Sequence, residues 1–257
     1  MIDVVSPGQL TTIVSLPDWR RVSYGLPIGG AFDAEAATLA NRAAGNDANA
    51  NVLECVLVGP RLRFSQRTRV AWYGADCDVA AGAFEVEGEL TIGRIRNGLR
   101  GWLAVEGGIE DERAPYAEAP TMLRKGTLGT GPLSPRRGER GRGEGLFPRT
   151  EPKTIGVKRG PHPSSLATIE CEVTPQLDRV GIRLRPLLPL AEKPPADLPS
   201  CGMQFGSVQW HPDGSLVVMG PDAPITGGYL QPLTVIRAEL WKLAQLGPGE
   251  RVTLLAE

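Results

Sequence analysis

Histidine and paired cysteine are scarce in this sequence. Only two histidines occur among 257 residues, His162 and His211, and both stand next to prolines. The four cysteines, at positions 55, 77, 171 and 201, form no Cys-x-x-Cys pair, so they are expected to be reduced and mostly buried. Because zinc sites draw mainly on these two residue types, we expect no metal site in this chain.

Long apolar runs are missing as well. Stretches such as 216–219 are a few residues long, whereas a membrane helix needs about 20. Residues 1–8 lack the basic region of a secretion signal. The net charge of −1, from 28 basic and 29 acidic residues, gives no attraction to nucleic acid or anionic membrane. We therefore expect a soluble, cytoplasmic protein that binds neither.

Self-contained catalytic signatures are also absent. The sequence has no Gly-x-x-x-x-Gly-Lys-Ser/Thr loop, no Gly-x-Ser-x-Gly elbow and no His-Glu-x-x-His motif. Any ATP chemistry would therefore use a non-standard site or a partner chain.

What the sequence does contain is turn-forming residues. Glycine (32) and proline (23) make up about a fifth of the chain, which shortens regular elements and favours strands joined by turns. Short alternating or β-branched segments predict a mainly β fold of barrels or sandwiches. The predicted strands are 10–14, 61–65, 69–74, 89–95, 101–106, 154–158, 167–173, 181–187, 215–219 and 251–255.

Two segments predict short helices. Asp33 is a good N-cap for the alanine-rich run 34–44, and Gly45 is a typical C-terminal stop. Residues 237–246 place Leu240 and Leu243 on one face, before a Gly-Pro-Gly stop. Between the two helices, residues 127–153 are rich in Gly, Pro and Arg without apolar periodicity, which predicts a linker or long loop. The predicted lobes are thus 1–126 and 154–257.

Two glycine pairs offer backbone donors for a ligand. Gly29 and Gly30 precede the first helix, where exposed N–H groups can bind an anion, with Asp33 nearby. Gly107 and Gly108 follow a predicted strand and can let a ligand approach the backbone. For Gly29 and Gly30 an ordinary tight turn is the favoured interpretation, and for Gly107 and Gly108 a plain strand-end turn explains the pair as well.

An Asp-Arg pair precedes a third glycine. Asp178 and Arg179 can form an ion pair that holds a loop. Alternatively, either Arg179 or Arg183 can bind a carboxylate through two hydrogen bonds. Holding a loop is the commoner use.

The fourth cluster combines a hydroxyl, two glycines and a phenol. Thr226, Gly227, Gly228 and Tyr229 can cradle a carboxylate or a developing oxyanion, and Gln209 is the polar candidate in the preceding stretch 206–214. The alternative is a hairpin turn with a packed tyrosine. His211, beside Pro212, is interpreted as a surface turn residue.

Taken in order, these clusters resemble the family of the 5-oxoprolinase C subunit, also called allophanate hydrolase subunit 2, biotin-dependent carboxyltransferase or Kip antagonist. The resemblance covers essentially the whole chain. The stretches that carry it are Ser6-Pro7-Gly8, Gly25-Leu26-Pro27, Gly29-Gly30-Ala31-Phe32-Asp33, Leu39-Ala40-Asn41-Arg42, Gly107-Gly108-Ile109, Asp178-Arg179-Val180-Gly181, Gly206-Ser207-Val208-Gln209, Pro212-Asp213-Gly214 and Thr226-Gly227-Gly228-Tyr229.

The resemblance implies a cyclophilin-like β-barrel architecture and an enzyme subunit of the amidohydrolase type, active only in a complex. That complex contains a Kip-inhibitor-like B subunit and a third, A subunit, and it uses ATP to open the lactam of 5-oxoproline to glutamate. In this interpretation Thr226, Tyr229 and Gln209 act on the substrate. Gly29, Gly30, Asp33, Gly107, Gly108, Arg179, Gly227 and Gly228 bind it or hold the loops.

Departures from the family pattern keep two alternatives open. Ile225 stands where the family usually has threonine, and Leu230 where it has proline. Lost polar groups would leave a non-catalytic subunit that regulates a Kip-inhibitor-like partner. The other alternative is the carboxyltransferase half of a biotin-dependent, urea carboxylase-like system. A polar cleft around residues 226–229 favours an enzyme, and an apolar patch favours a binder.

Overall fold

The structure is a computed structural model that describes residues 1–111, 120–131, 153–190, 194 and 198–257. It divides into two compact units: unit 1 comprises Met1–Pro17 and Gly29–Arg149, and unit 2 comprises Asp18–Ile28 and Thr150–Glu257. The predicted lobes differ from this division because residues 18–28 join unit 2, a long-range association that no local pattern encodes. Residues 132–152 of the predicted linker lie outside the described residues.

Unit 1 is built on one open β-sheet. Its strands are β1 (Ile2–Ser6), β2 (Leu10–Val14), β3 (Val52–Val56), β4 (Arg61–Asp76), β5 (Gly82–Thr91), β6 (Arg96–Val105), β7 (Thr121–Met122) and β8 (Gly126–Leu128). Their order is β7-β2-β3-β6-β4-β1-β8, with β5 paired to β4. Leu53, Leu62, Trp72 and Leu103 lie in its buried core. The two strands predicted at 61–65 and 69–74 are one long strand, interrupted by an irregularity between Phe64 and Thr68 where β4 pairs with β5.

Helix α1 (Ala34–Ala44) has the predicted bounds. The Asp33 carboxylate accepts hydrogen bonds from the N–H groups of Glu35 and Ala36, and Gly45 ends the helix in the left-handed conformation. These are the two capping interactions that satisfy the free backbone groups at helix ends. The prediction of this helix from its caps is confirmed.

A buried ion pair joins the sheet to the loop before α1. The Glu54 and Arg100 side chains are 0% and 2% exposed, with 3.7 Å between Glu54 Oε1 and Arg100 Nε. Glu54 Oε2 also accepts from the Phe32 backbone N–H at 2.8 Å and from Trp102 Nε1 at 3.1 Å. The Arg100 guanidinium lies 4.4 Å from the centre of the Phe32 ring. Strands β3 and β6 and the start of α1 are therefore connected through one carboxylate.

Unit 2 contains a closed seven-stranded barrel and a two-stranded ribbon. Its strands are β9 (Lys153–Arg159), β10 (Thr168–Leu177), β11 (Gly181–Pro186), β12 (Cys201–Gly202), β13 (Ser207–Trp210), β14 (Leu216–Met219), β15 (Thr226–Gly227), β16 (Leu230–Val235) and β17 (Arg251–Ala256). The barrel order is β10-β11-β14-β13-β16-β9-β17, and β12 pairs with β15 outside it. Parallel pairing of β17 with β9 completes the ring. The prediction of a mainly β, barrel-type fold is confirmed.

The second predicted helix is shorter than expected. Residues 237–239 form a 3-10 turn, and helix α2 covers only Leu240–Leu243. Ile236 before the turn gives no side-chain cap, so this helix start lacks the capping interaction that α1 has. A further 3-10 turn, Trp19–Tyr24, was not predicted. Among the described residues, no helix has both the length and the apolarity needed to cross a membrane.

The buried carboxylate of Glu54 gives a test of unit 1. Glu54→Gln keeps an oxygen for Phe32 and Trp102 but leaves the buried Arg100 guanidinium facing a neutral amide. Breaking a buried ion pair typically costs about 3–5 kcal/mol, so we expect a large loss in the free energy of unfolding measured in urea. Glu89→Gln, which breaks the exposed Arg63–Glu89 pair, serves as control and should leave the midpoint unchanged. Equal midpoints for the two variants would show that the buried pair does not stabilise unit 1.

Candidate functional site

The barrel of unit 2 has two distinct faces. Ile182, Leu184, Val208 and Val218 are at most 1% exposed and fill the interior. Because side chains alternate along a strand, their neighbours at positions 183, 209 and 217 lie on the outer face. Arg183 pairs with Val217, and Val217 with Gln209, so these three residues form one row across β11, β14 and β13.

A groove of about 570 Å³ lies over this row. The ribbon of β12 and β15 contributes Thr226 and Gly227, and the segment 175–180 contributes a second wall. Both polar and apolar side chains line it. The lining residues are Pro175, Gln176, Leu177, Asp178, Val180, Gly181, Arg183, Met203, Gln209, His211, Val217, Met219, Pro224, Thr226, Gly227, Gly228 and Tyr229.

Gln209 lies on β13 directly opposite Val217 of β14, in a regular pairing. On the other side of β13 the pairing with β16 shifts register, because β16 advances three residues, from Leu233 to Leu230, while β13 advances two. Gln209 is 5% exposed, and its Nε2 donates to the Met203 sulfur at 2.8 Å. A Cβ at residue 227 would lie 2.5 Å from this Nε2, so the absence of a side chain at Gly227 makes room for the amide.

Thr226 and Tyr229 are both exposed residues of the groove lining. Thr226 begins β15, and Tyr229 is 40% exposed. The Tyr229 ring stacks on His211, with centroids 4.0 Å apart and planes inclined by 25°. The structure thus brings together five residues predicted for the site: Gln209, Thr226, Gly227, Gly228 and Tyr229.

His211 lines the groove, although the sequence interpretation made it a surface turn residue. Its Nε2 is buried and has no hydrogen-bond partner among the described residues. Burial lowers the pKa of His211, the nearby Arg183 charge lowers it further, and Asp213 partly opposes both. The signal was available in the sequence, because residues 209 and 211 of an extended segment share a face.

Arg183, one of the two arginines that the sequence offered for binding a carboxylate, lines the groove. Its Nη1 donates to Asp213 Oδ2 at 3.0 Å and to Ser215 Oγ at 2.7 Å. Asp213 and Ser215 belong to the turn between β13 and β14, far from Arg183 in sequence. They are brought together by strand pairing, which cannot be predicted from a local sequence pattern.

Arg179 lies outside the groove lining and holds a loop. It pairs with Asp222 through Nε at 2.7 Å and Nη2 at 3.0 Å, and both side chains are largely buried. Asp178, its predicted partner, instead accepts from the N–H groups of Val180 and Gly181. The predicted Asp178–Arg179 pair is therefore wrong, and the loop-holding role belongs to Arg179 and Asp222.

The glycine pairs predicted for substrate binding lie in unit 1 and have structural roles there. A Cβ at Gly30 would overlap the backbone of Pro17, so the chain can pass there only as glycine. The Gly107 N–H donates to Asn46 Oδ1 at 2.9 Å, and the Gly108 N–H donates to Val105 O at 2.8 Å. The Asp33 carboxylate is occupied by its helix cap. A ligand role for Gly29, Gly30, Asp33, Gly107 and Gly108 stays a prediction.

Cysteine chemistry is disfavoured at the buried thiols. Burial raises the pKa of Cys77 to about 11 and that of Cys171 to about 12, and it raises the pKa of Cys55 further still. Thiolates, the reactive form, are therefore scarce at these positions. Within the part of the chain that the structure describes, no group of three or more His, Cys, Asp or Glu residues is placed to hold a metal.

Comparison with known proteins identifies the family of this chain. The family model described as "Carboxyltransferase domain, subdomain A and B" matches residues 24–256. The chain belongs to this carboxyltransferase-domain family.

Relatives of this carboxyltransferase-domain chain carry two kinds of name. It is 28% identical over 99% of its length to a putative urea carboxylase of Emericella nidulans, of which it spans 24%. It is also 28% identical over 98% of its length to the 5-oxoprolinase C subunit of Escherichia coli, of which it spans 90%. Among solved structures, TTHA0988 superimposes with a TM-score of 0.82 at 28% identity, covering all of this chain and 55% of that one.

Gly227 provides a test of the groove. A methyl group there would lie 2.5 Å from Gln209 Nε2 and 2.6 Å from the Met203 sulfur, which are the ends of flexible side chains. We expect Gly227→Ala to displace the Gln209 amide, seen as a shifted side-chain NH₂ signal in NMR, at a cost below about 1 kcal/mol in stability. Gly202→Ala, on the paired strand, meets no atom within 4 Å and is the matched control. Unchanged Gln209 signals in Gly227→Ala would contradict the packing.

The titration of His211 tests its environment. Because burial and Arg183 both disfavour the charged ring, we expect its pKa, read by NMR in a His162→Gln background, to lie below the usual value of about 6.5. Arg183→Gln should raise that pKa. Because the pKa of His211 is lower in the folded than in the unfolded state, His211 adds to the free energy of unfolding at pH values above its unfolded-state pKa. That contribution is lost as the pH falls through the folded-state pKa. If the pKa of His211 has its usual value both with Arg183 present and in Arg183→Gln, the His211 ring is exposed to solvent.

Proposed function

We propose that this chain is the C subunit of an ATP-dependent 5-oxoprolinase-type complex, which opens the lactam of 5-oxoproline to glutamate. It acts with a Kip-inhibitor-like B subunit and an A subunit. Support comes from the similarity to the 5-oxoprolinase C subunit of E. coli, which extends over 98% of this chain and 90% of the relative.

The observation that carries the proposal is the convergence of Gln209, Thr226 and Tyr229 on one groove. Opening a lactam places negative charge on the amide oxygen, and hydrogen-bond donors held in place stabilise that charge. The Gln209 amide is buried and fixed by Met203. The Thr226 hydroxyl is exposed and makes no hydrogen bond within the described chain, so it is available to a substrate. We assign these two groups to the lactam carbonyl and Tyr229 to the wall that positions the ring.

The groove itself does not fit ATP. Among the described lining residues Arg183 is the one cation, and no glycine-rich phosphate loop is present in the sequence. Nucleotide triphosphates are bound by several backbone N–H groups together with a lysine and a magnesium ion. We therefore assign ATP binding to the partner subunits, and this chain contributes the groove.

A second candidate is the carboxyltransferase half of a urea carboxylase-like system. The family description and the similarity to the E. nidulans protein over 99% of this chain favour it. Urea and 5-oxoproline are both amides, so the same carbonyl-binding groups serve either substrate. The third candidate, a regulatory binder, predicts an apolar patch. The groove lining is mixed, with apolar side chains such as Val180 and Met219 beside polar ones such as Gln209, so the reconstitution experiment decides between this candidate and the enzymes.

Reconstitution tests the leading proposal. ATP hydrolysis stimulated by 5-oxoproline is measured with this chain mixed with its B and A partners. We expect turnover to require this chain and Thr226→Ala to lower kcat at least about tenfold, because a donor to the developing oxyanion is lost. Thr168→Ala, an exposed threonine of β10 outside the groove, is the matched control and should be unaffected.

Two results would redirect the assignment. Turnover of urea but not of 5-oxoproline would favour the carboxyltransferase candidate. A stable complex that turns over neither substrate would leave the regulatory binder.

A further inference from the structure

Arg183 presents unused hydrogen-bond donors at the groove. Only its Nη1 is occupied, by Asp213 and Ser215. Its Nε and Nη2 have no hydrogen-bond partner among the described residues, and the side chain is 29% exposed. These two nitrogens form one edge of the planar guanidinium, and such an edge matches the two oxygens of a carboxylate.

The guanidinium is also held in place. Asp213 Oδ1 accepts from the Ser215 N–H at 2.9 Å and from its hydroxyl at 2.6 Å, so the turn that grips Nη1 is itself rigid. The Arg183–Asp213 pair is weak as an ion pair because Asp213 is 62% exposed. Its effect is to orient Arg183 while leaving most of the positive charge available.

Arg183 stands opposite the carbonyl-binding groups. It shares a row with Val217 and Gln209 on three adjacent strands, so the outer two Cα atoms lie about 10 Å apart. Val217 between them is short and leaves the space above it open. The acidic lining residue, Asp178, has its Oδ1 engaged by two backbone N–H groups of its own turn. The groove therefore offers a cation at one end and an amide at the other.

We propose that Arg183 binds the carboxylate of the substrate and selects a carboxylate-bearing lactam over a neutral amide. The inference rests on the proposed function, in which Gln209 and Thr226 take the lactam carbonyl. It adds a specificity-determining residue and separates the two enzymatic candidates, since urea carries no carboxylate.

Ligand binding to the full chain tests this without turnover. L-5-oxoproline, its neutral analogue 2-pyrrolidinone and acetate are titrated into ¹⁵N-labelled protein, and the signals of Arg183 Nε–H and the Gln209 amide are followed. We expect 5-oxoproline to shift both signals, pyrrolidinone to shift mainly Gln209 and acetate mainly Arg183. Arg183→Gln should weaken 5-oxoproline binding about tenfold or more and leave pyrrolidinone binding unchanged.

Two variants keep the result interpretable. Arg185→Gln, two residues along the same strand, breaks an exposed pair with Glu172 and should bind 5-oxoproline like the wild type. Arg183→Lys keeps the charge but loses the planar edge, and is expected to bind between wild type and Arg183→Gln. Thermal unfolding of each variant confirms that it folds.

Several outcomes overturn the inference. One is equal affinity of the wild type and Arg183→Gln for 5-oxoproline. Another is a loss of pyrrolidinone affinity in Arg183→Gln equal to the loss of 5-oxoproline affinity. The third is that 5-oxoproline shifts no NMR signal of the groove residues. Failure of the proposed function is distinguishable. If Arg183→Gln weakens 5-oxoproline binding but the complex shows no ATP turnover, the inference stands and the proposed function is wrong. If the complex turns over 5-oxoproline and Arg183→Gln leaves the KM unchanged, the proposed function stands and the inference is wrong.

Discussion

Closure of the seven-stranded barrel is the constraint on which the candidate site depends. Once β17 pairs in parallel with β9, no edge of that sheet is left open, and alternate residues of every strand must fill the interior. Apolar side chains such as Ile182 and Val208 take those positions. The remaining positions face outward, and three of them, on adjacent strands, form the row of Arg183, Val217 and Gln209. The groove therefore follows from which strand residues face the barrel interior and which face outward.

The ribbon of β12 and β15 turns this outer face into a pocket. It supplies Thr226 and Gly227 above the row, and the close approach of Gly227 to the Gln209 amide is possible because no side chain intervenes. The His211–Tyr229 stack forms another part of the lining, with an imidazole nitrogen that is buried and unpaired in the described chain. A buried polar atom without a partner carries a cost, and a bound ligand can relieve it. In the proposed function, a bound substrate would supply that partner.

The glycine pairs of unit 1 also hold its local structure. Its glycine pairs look like ligand loops, yet the Gly107 and Gly108 amides are satisfied within the protein and Gly30 admits the Pro17 backbone. Glu54 and Arg100, which drew no attention as a pair in the sequence, are the polar centre of this unit. Charged residues this deeply buried are retained only with partners, and Phe32 and Trp102 provide them.

The features that the sequence predicted well depend on interactions between residues that are close together in the chain. Caps and a stop set α1 at 34–44 because helix ends depend on the residues beside them, and turn residues with alternating patterns predicted most barrel strands. The Thr226–Tyr229 cluster and Gln209 were predicted as site residues from residue types and family resemblance, and the structure places them on one groove. Tertiary structure alone decided the rest: that residues 18–28 join unit 2, that Arg179 pairs with Asp222 rather than with its neighbour, and that Arg183 and His211 line the groove. Strand register brings distant residues together, and register is set by the packing of the whole barrel, which a linear pattern does not contain.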